Sequence, residues 1–237
     1  MIDHTVPKGP WVFDEAVASV FPDMLQRSIP DYQWMRHSTS IIIDNCFDSP
    51  IDILDLGCSD GLEYQYLKDF GIDINSYTGL DVSEPMLQKA KEAYPDEEAT
   101  DWYYFDIRKK LPEFSDKFNV ILSILTLQFV PTEYRSRILK DVYDNIQEKG
   151  IFVFVEKTIG ESFIGHETMV NSYHHMKSLN GYTDEEIEAK RLSLENSLVA
   201  LTARENEQML RDAGFVVQRY WQSFGFCGWI AFKTNAD

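Results

Sequence analysis

Residues 52–61, DILDLGCSDG, end a short apolar run with an acid and two glycines. Glycine lets a backbone approach a ligand closely, and a helix that starts after such a turn offers N–H groups without partners. In an open parallel sheet, ligands lie beyond the carboxyl ends of the strands, so Gly57 and Gly61 stand where a nucleoside would lie. A dinucleotide site would carry G-x-G-x-x-G, and here Ser59 holds the place of the second glycine, which argues against a pyrophosphate. Two more acids extend the pattern. Asp81 closes a second run, SYTGLD, where it can accept hydrogen bonds from both hydroxyls of a ribose. Asp106 closes a third, DWYYFD, close to where an adenine edge would sit. Taken one at a time, each aspartate could be an ordinary strand-end or helix-cap residue. The ordered set is what points to a nucleoside.

These residues need a sheet to hold them. The runs at 51–57, 76–81, 101–106, 118–125 and 151–157 read as buried strands. Helical patterns separate them, among them residues 83–94, with Ser83 as cap and Pro85 in the first turn, and residues 131–150, which read as a helix ending at Gly150. Strand and helix in alternation predict a parallel sheet with helices on both faces. Further on, Thr202 and Glu205 form a capping-box pattern, and residues 216–224 and 225–233 read as an antiparallel pair closing the sheet edge. Two more helical stretches fall between 158 and 200. With the segment at about 11–48 they are expected to form a helical lid over the open end of the sheet. The expected organisation is one domain over residues 1–237, carrying N-terminal helices and that inserted lid.

A formal net charge of −17, from 39 acidic and 22 basic residues, repels phosphate backbones and lowers the expectation of direct nucleic-acid binding. The three cysteines, Cys46, Cys58 and Cys227, have neither zinc-cluster spacing nor an even count, so a reducing cytoplasmic setting is expected and no metal. No leader pattern is visible at the start. The longest nearly apolar run, from Phe118, falls short of the roughly 20 residues of a membrane span.

An acid after each of the first three strands, without the full phosphate loop, resembles the class I S-adenosylmethionine-dependent methyltransferases, whose Rossmann-like sheet binds a nucleoside joined to an amino acid. The flanks narrow the resemblance. WVFDEAVASVFPDMLQRSIPDY (11–32), DLGCSDG, TLQF (126–129), the Glu156-Lys157 pair, NGY (180–182), KRLSLEN (190–196), AGF (213–215) and WQSFGFCGWIAFK (221–233) are similar to the carboxy-S-adenosyl-L-methionine synthase family from about Trp11 to about Lys233. Serine in place of the second glycine is itself a trait of that family.

The resemblance implies which residues hold S-adenosylmethionine: Tyr32, the loop Gly57, Cys58 and Ser59, then Asp81 with Val82, and Asp106 with Ile107. It implies that Arg191 grips the carboxylate of the product, carboxy-S-adenosylmethionine, and so stands at the reaction end. One position departs from the family pattern, since Ile124, beside Ser123, stands where an asparagine is expected. The implied reaction carboxylates the cofactor's methyl carbon at the expense of prephenate, giving phenylpyruvate. In the family scheme prephenate loses carbon dioxide and hydroxide, a proton leaves the methyl group beside the sulfonium, and the resulting ylide attacks the carbon dioxide. Such chemistry requires a site closed to water and a cation for the new carboxylate, where arginine offers two parallel donors. The family also implies a homodimer, and a product used by a separate enzyme for wobble-uridine modification of tRNA.

Plainer readings stand beside these. Arg191 by itself is a solvated helix arginine paired with Glu188 or Glu195 at helical spacing. Tyr32 by itself is a packed aromatic, and His174 and His175 lack a recognisable carboxylate partner and read as structural. Tyr173, Tyr182, Trp221 and Trp229 could wall a prephenate pocket or belong to the core. Cys58 contributes its backbone and is not expected to be a nucleophile. A methyltransferase acting on a small molecule, or a cofactor-binding regulatory protein without turnover, are the competing functional classes.

Overall fold

The computed structural model describes residues 2–7, 9–95 and 97–234. Helices α1 (Glu15–Ser28) and α2 (Tyr32–Cys46) precede the sheet. There follow β1 (Ile51–Leu56), α3 (Leu62–Phe70), β2 (Ile74–Asp81), α4 (Glu84–Ala93), β3 (Thr100–Tyr104) and β4 (Phe118–Ile124). A short 3-10 turn, Leu127–Phe129, leads to α5 (Thr132–Asn145) and β5 (Ile146–Ile159). The lid helices α6 (Phe163–Leu179) and α7 (Asp184–Leu194) come next, then β6 (Leu201–Thr202), α8 (Ala203–Asp212), β7 (Val216–Ser223) and β8 (Phe226–Phe232).

The sheet runs β3-β2-β1-β4-β5-β8-β7, with β6 paired to β5 alone. β1 to β5 are parallel, and β8 inserts antiparallel between β5 and the edge strand β7, as the sequence pattern predicts for the C-terminal pair. Alternation along β5 sends Ile151, Val153 and Val155 into one core layer, under α2, α3 and α4, and Phe152 and Phe154 into the other, under α5 and α8. Burial on both faces is why these strands read as continuous apolar runs. A third cluster packs Val17, Phe21 and Met24 of α1 on Met86 of α4.

Two boundaries differ from expectation. The helix expected to run to Gly150 stops at Asn145, because Ile146 turns out of it to pair with Phe118 while the Asn145 amide donates to the Asp141 carbonyl at 2.8 Å. The third strand ends at Tyr104, so Asp106 sits in the turn beyond it. The predicted caps are in place. Ser83 accepts from the Met86 N–H, and Thr202 and Glu205 complete their capping box. An equivalent box between Thr183 and Glu186 starts α7.

An N-terminal strap ties the lid down. Buried Asp3 accepts from the Tyr182 hydroxyl at 2.5 Å and pairs with Lys190, while Arg27 of α1 donates to the Asp3 carbonyl at 2.8 Å. The Trp11 N–H donates to the Ser193 carbonyl at 2.8 Å. Through these bonds α1 and α7 are held together over the carboxyl ends of the strands.

Candidate active site

At that open end lies a cavity of about 460 Å³, the size of a small-molecule site. Its floor is the loop after β1. Gly57 has φ +79°, and a side chain there would bring Cβ within 2.3 Å of Thr126 Oγ1, so only glycine lets the loop pass. The Gly57 and Cys58 N–H groups both donate to the Leu80 carbonyl, at 2.7 and 3.1 Å. Ser59, with φ +53°, turns its N–H to Asp81 Oδ2 at 2.9 Å. Asp81 Oδ1 accepts from the Ser83 N–H at 2.8 Å, so one carboxylate fastens the β1 loop to the start of α4.

Burial raises the pKa values of several acids here. Asp55, accepting from the Tyr77 hydroxyl at 2.6 Å, is pushed up to about 7 by desolvation. Desolvation also raises Asp60 and Asp81, while backbone N–H groups pull both down. Two buried atoms on the floor, Ser59 Oγ and Asp60 Oδ1, have no hydrogen-bond partner among the described residues. Buried polar atoms without partners at a cavity wall suit a polar ligand.

From the helical side Tyr32 meets this floor. Its hydroxyl accepts from Arg36 Nη1 at 2.7 Å, which leaves its own proton to donate. Arg36 is itself buried and paired with Glu63 at 2.7 Å. Neither Arg36 nor Glu63 was expected at the site. They are far apart in the chain, and only the packing of α2 on α3 joins them.

Every residue expected to hold the cofactor lines this cavity except one: Tyr32, Gly57, Cys58, Ser59, Asp81, Val82, Asp106 and Ile107 are all present. Asp106 is engaged by Arg108, whose Nε and Nη2 reach its two oxygens at 2.9 and 2.7 Å and hold its carboxyl below the usual range. The pair is exposed, so its loss is worth little. Arg108→Ala is expected to change cofactor affinity by less than about threefold by titration calorimetry.

The exception is Arg191. It lies on the outer side of α7, half exposed, and donates to Glu188 and Glu195 at 2.7 Å each. The helical period explains this correction to its expected place: Lys190 and Leu194, four apart, line the cavity, and Arg191 is rotated about 100° from Lys190. Its pairing is the one read from local spacing.

Ile124 lines the cavity with an aliphatic side chain, while Ser123 is fully buried, outside the lining, with Oγ unpartnered among the described residues. Tyr173 lines the cavity, whereas Trp221 and Trp229 belong to the two main core layers and Tyr182 packs against the Asp3 clasp. His174 and His175 border a separate surface depression. The Cys58 thiol is pushed well up by burial, so it is no nucleophile. Among the described residues no group of His, Cys, Asp or Glu could hold a metal, and no helix is long and apolar enough to cross a membrane.

The cavity is lined by charges of both signs. Its acids lie in β1, at the end of β2 and in the loops after β1 and β3, with Glu63 paired to Arg36 and Asp106 to Arg108, and three lysines to which the sequence pattern gave no role, Lys157, Lys177 and Lys190, come from β5 and the lid.

A methyltransferase-domain family model matches residues 54–154, the stretch from β1 to β5. Solved structures agree in fold: an O-methyltransferase family protein from Burkholderia thailandensis superposes with a TM-score of 0.67 at 13% identity, over 95% of this chain and 62% of that one. The YcgJ protein from Bacillus subtilis gives 0.62 at 12%, over 84% and 99%. Sheet order, glycine loop and strand-end acids together define a class I methyltransferase fold. Within that class, full-length similarity decides the family. The chain is 35% identical over 227 residues to the carboxy-S-adenosyl-L-methionine synthase of Methylococcus capsulatus, covering 93% of each, and 36% identical over 233 residues to that of Wolinella succinogenes, covering 97% and 96%. It belongs to the carboxy-S-adenosyl-L-methionine synthase family.

Proposed function

We propose that this protein is a carboxy-S-adenosyl-L-methionine synthase, which takes S-adenosylmethionine and prephenate to carboxy-S-adenosylmethionine and phenylpyruvate. The observation that carries the reading is one cavity lined by the strand-end acids, by the unpartnered Ser59 Oγ and Asp60 Oδ1, and by three lysines from β5 and the lid. S-adenosylmethionine supplies a methyl carbon acidified by its sulfonium. Asp81 has lone pairs left for ribose hydroxyls after serving Ser59 and Ser83, and Ser59 Oγ and Asp60 Oδ1 suit the amino-acid part. Tyr32 has a hydroxyl proton to give. α1, α2, α6 and α7 keep water from the reacting end.

The reading includes a cytoplasmic homodimer whose product serves tRNA wobble-uridine modification through another enzyme. Phe163 and Ile164 of α6 and Leu192 of α7 are exposed apolar side chains on the lid, which suit a second copy. Because Arg191 faces outward within one chain, its contact with the product carboxylate belongs to the paired enzyme. Arg191→Leu is expected to leave S-adenosylmethionine affinity unchanged and to weaken carboxylated product by about 30-fold, the loss of one bidentate contact. Equal loss of both affinities in a competition titration would remove Arg191 from that role.

The direct test is a mass spectrum of the small molecule released from freshly purified protein, then of the mixture after incubation with S-adenosylmethionine and prephenate. A species heavier than S-adenosylmethionine by one carbon dioxide, formed with phenylpyruvate, supports the synthase. Ile124, which puts an aliphatic wall where the family pattern has asparagine, favours a second reading as a small-molecule methyltransferase. Recovery of only S-adenosylmethionine or its demethylated form, with no response to prephenate, would select it.

A further inference from the structure

Three lysines face the cavity, and their situations differ. Lys190 is neutralised by Asp3. Lys177 is 6% exposed, and among the described residues it has no hydrogen bond or ion pair. Lys157, half-buried at the end of β5, is likewise without a partner. The two ammonium groups share one aromatic ring: Lys157 Nζ lies 5.1 Å and Lys177 Nζ 5.6 Å from the centroid of Tyr173, which itself lines the cavity, and Lys177 Nζ also lies 5.1 Å from the ring of Tyr182. The edge of this group is closed by Phe226, 5.9 Å from Lys157 Nζ.

A cation–π contact contributes about 0.5–2 kcal/mol, whereas taking an ammonium out of water costs several. Two such cations about one ring, neither with an ion pair or side-chain hydrogen bond among the described residues, are therefore a poor arrangement for the empty protein. Burial and mutual repulsion accordingly lower the proton affinity of Lys177, to a pKa of about 8, with Lys190, Lys157 and Arg27 pushing it down and Asp3 alone among its charged neighbours opposing. An anion with two charges would satisfy both groups. An unsaturated ring on that anion would suit Tyr173 and Phe226.

We infer that Lys157 and Lys177, placed about the ring of Tyr173, bind the two carboxylates of a dicarboxylate co-substrate. This rests on the synthase reading, in which that co-substrate is prephenate. The place in the fold agrees. The nucleoside-facing acids come from β1, β2 and β3, and the lysines come from β5 and α6, on the other side of the point where the strand order reverses. Monocarboxylate phenylpyruvate would leave one lysine unmatched, which favours release of product.

The test is titration of prephenate into the full-length protein loaded with S-adenosylmethionine, alongside steady-state kinetics, for Lys157→Met, Lys177→Met and the corresponding arginine variants. Each methionine variant is expected to weaken prephenate binding and raise its KM by about 30-fold while S-adenosylmethionine affinity stays unchanged. Arginine should restore part of that loss. The methionine variants should also unfold at higher temperature than the wild type without ligand, since each removes an uncompensated buried charge; a merely structural lysine would move the midpoint downward. Wild-type turnover of prephenate with unaltered KM in both methionine variants overturns this inference and leaves the synthase reading standing. Prephenate binding that depends on the two lysines but leads to no carboxylated product sinks the synthase reading and keeps the subsite. Absence of prephenate binding to the wild type overturns both.

Discussion

Asp81→Ala is expected to lower S-adenosylmethionine affinity by a factor of several hundred, so that the purified variant no longer retains the nucleoside. Two losses combine. The carboxylate offers about four acceptor positions, of which the Ser59 and Ser83 N–H groups take two at 2.9 and 2.8 Å. The remaining two are available to a ribose diol, and hydrogen bonds to a charged group contribute about 1.5–3 kcal/mol each. Removing the side chain also leaves two N–H groups unsatisfied at the floor of the cavity, so the loop around Ser59, held at φ +53°, loses its anchor. Asp81→Asn separates the two effects. Its amide keeps one acceptor but turns a donor toward one of those N–H groups, so it should recover little affinity. Titration calorimetry with S-adenosylmethionine reads both variants. An alanine variant within about threefold of wild type would show that Asp81 serves the fold alone.

Much of this arrangement is legible in the sequence, for identifiable reasons. β4 and β5 are covered on both faces and therefore announce themselves as apolar runs. Gly57 is visible because its conformation and its contact with Thr126 exclude any other residue. The end of α5 was hidden, since Ile146 continues the helix's apolar period and only its pairing with Phe118 assigns it to a strand. The site was half visible. Its acids sit at strand ends, where topology alone gives them meaning. Lys177 and Lys190 look like solvated helix cations, and burial distinguishes them only once the lid closes over the strand ends. Arg36 and Glu63 form their ion pair across two helices, and Asp3 lies ahead of the first helical segment, far in the chain from Lys190. Arg191 shows the converse: local spacing predicted its partners correctly, while its place relative to the cavity depended on a helical phase that only packing sets.

Glu156→Gln is expected to stabilise the protein at high pH and leave it nearly unchanged in acid. The carboxyl is 1% exposed beneath the turn Thr126–Gln128, and desolvation raises its pKa to about 8, against the opposing fields of Arg135 and of the Leu127, Gln128 and Thr126 amides. In the unfolded chain it titrates near the ordinary glutamate value of 4.5. Below that pH both states carry the proton and the group contributes nothing to the pH dependence. Between 4.5 and about 8 the folded state holds a proton that the unfolded state has released, so stability falls as pH rises, by about 1.4 kcal/mol per unit. Above 8 the whole penalty is present, on the order of 5 kcal/mol. Glutamine carries no such penalty. Denaturant titrations at pH 5 and pH 9 should therefore show a difference between variant and wild type that grows between the two conditions, and a constant difference would mean that Arg135 keeps Glu156 ionised throughout. Asp55, raised to about 7, acts with the same sign in both proteins and cancels from the comparison. The carboxyl has a functional context that explains its retention at this cost. It underlies the turn whose Thr126 and Gln128 border the cavity, it precedes Lys157, and the Lys157 N–H donates to Gln128 Oε1 at 2.8 Å. Leu125, at φ +58°, shows that the same turn is strained. A strained wall held over an unpartnered lysine is less stable than an apolar one, and the glutamine variant measures how much stability the site gives up to keep it.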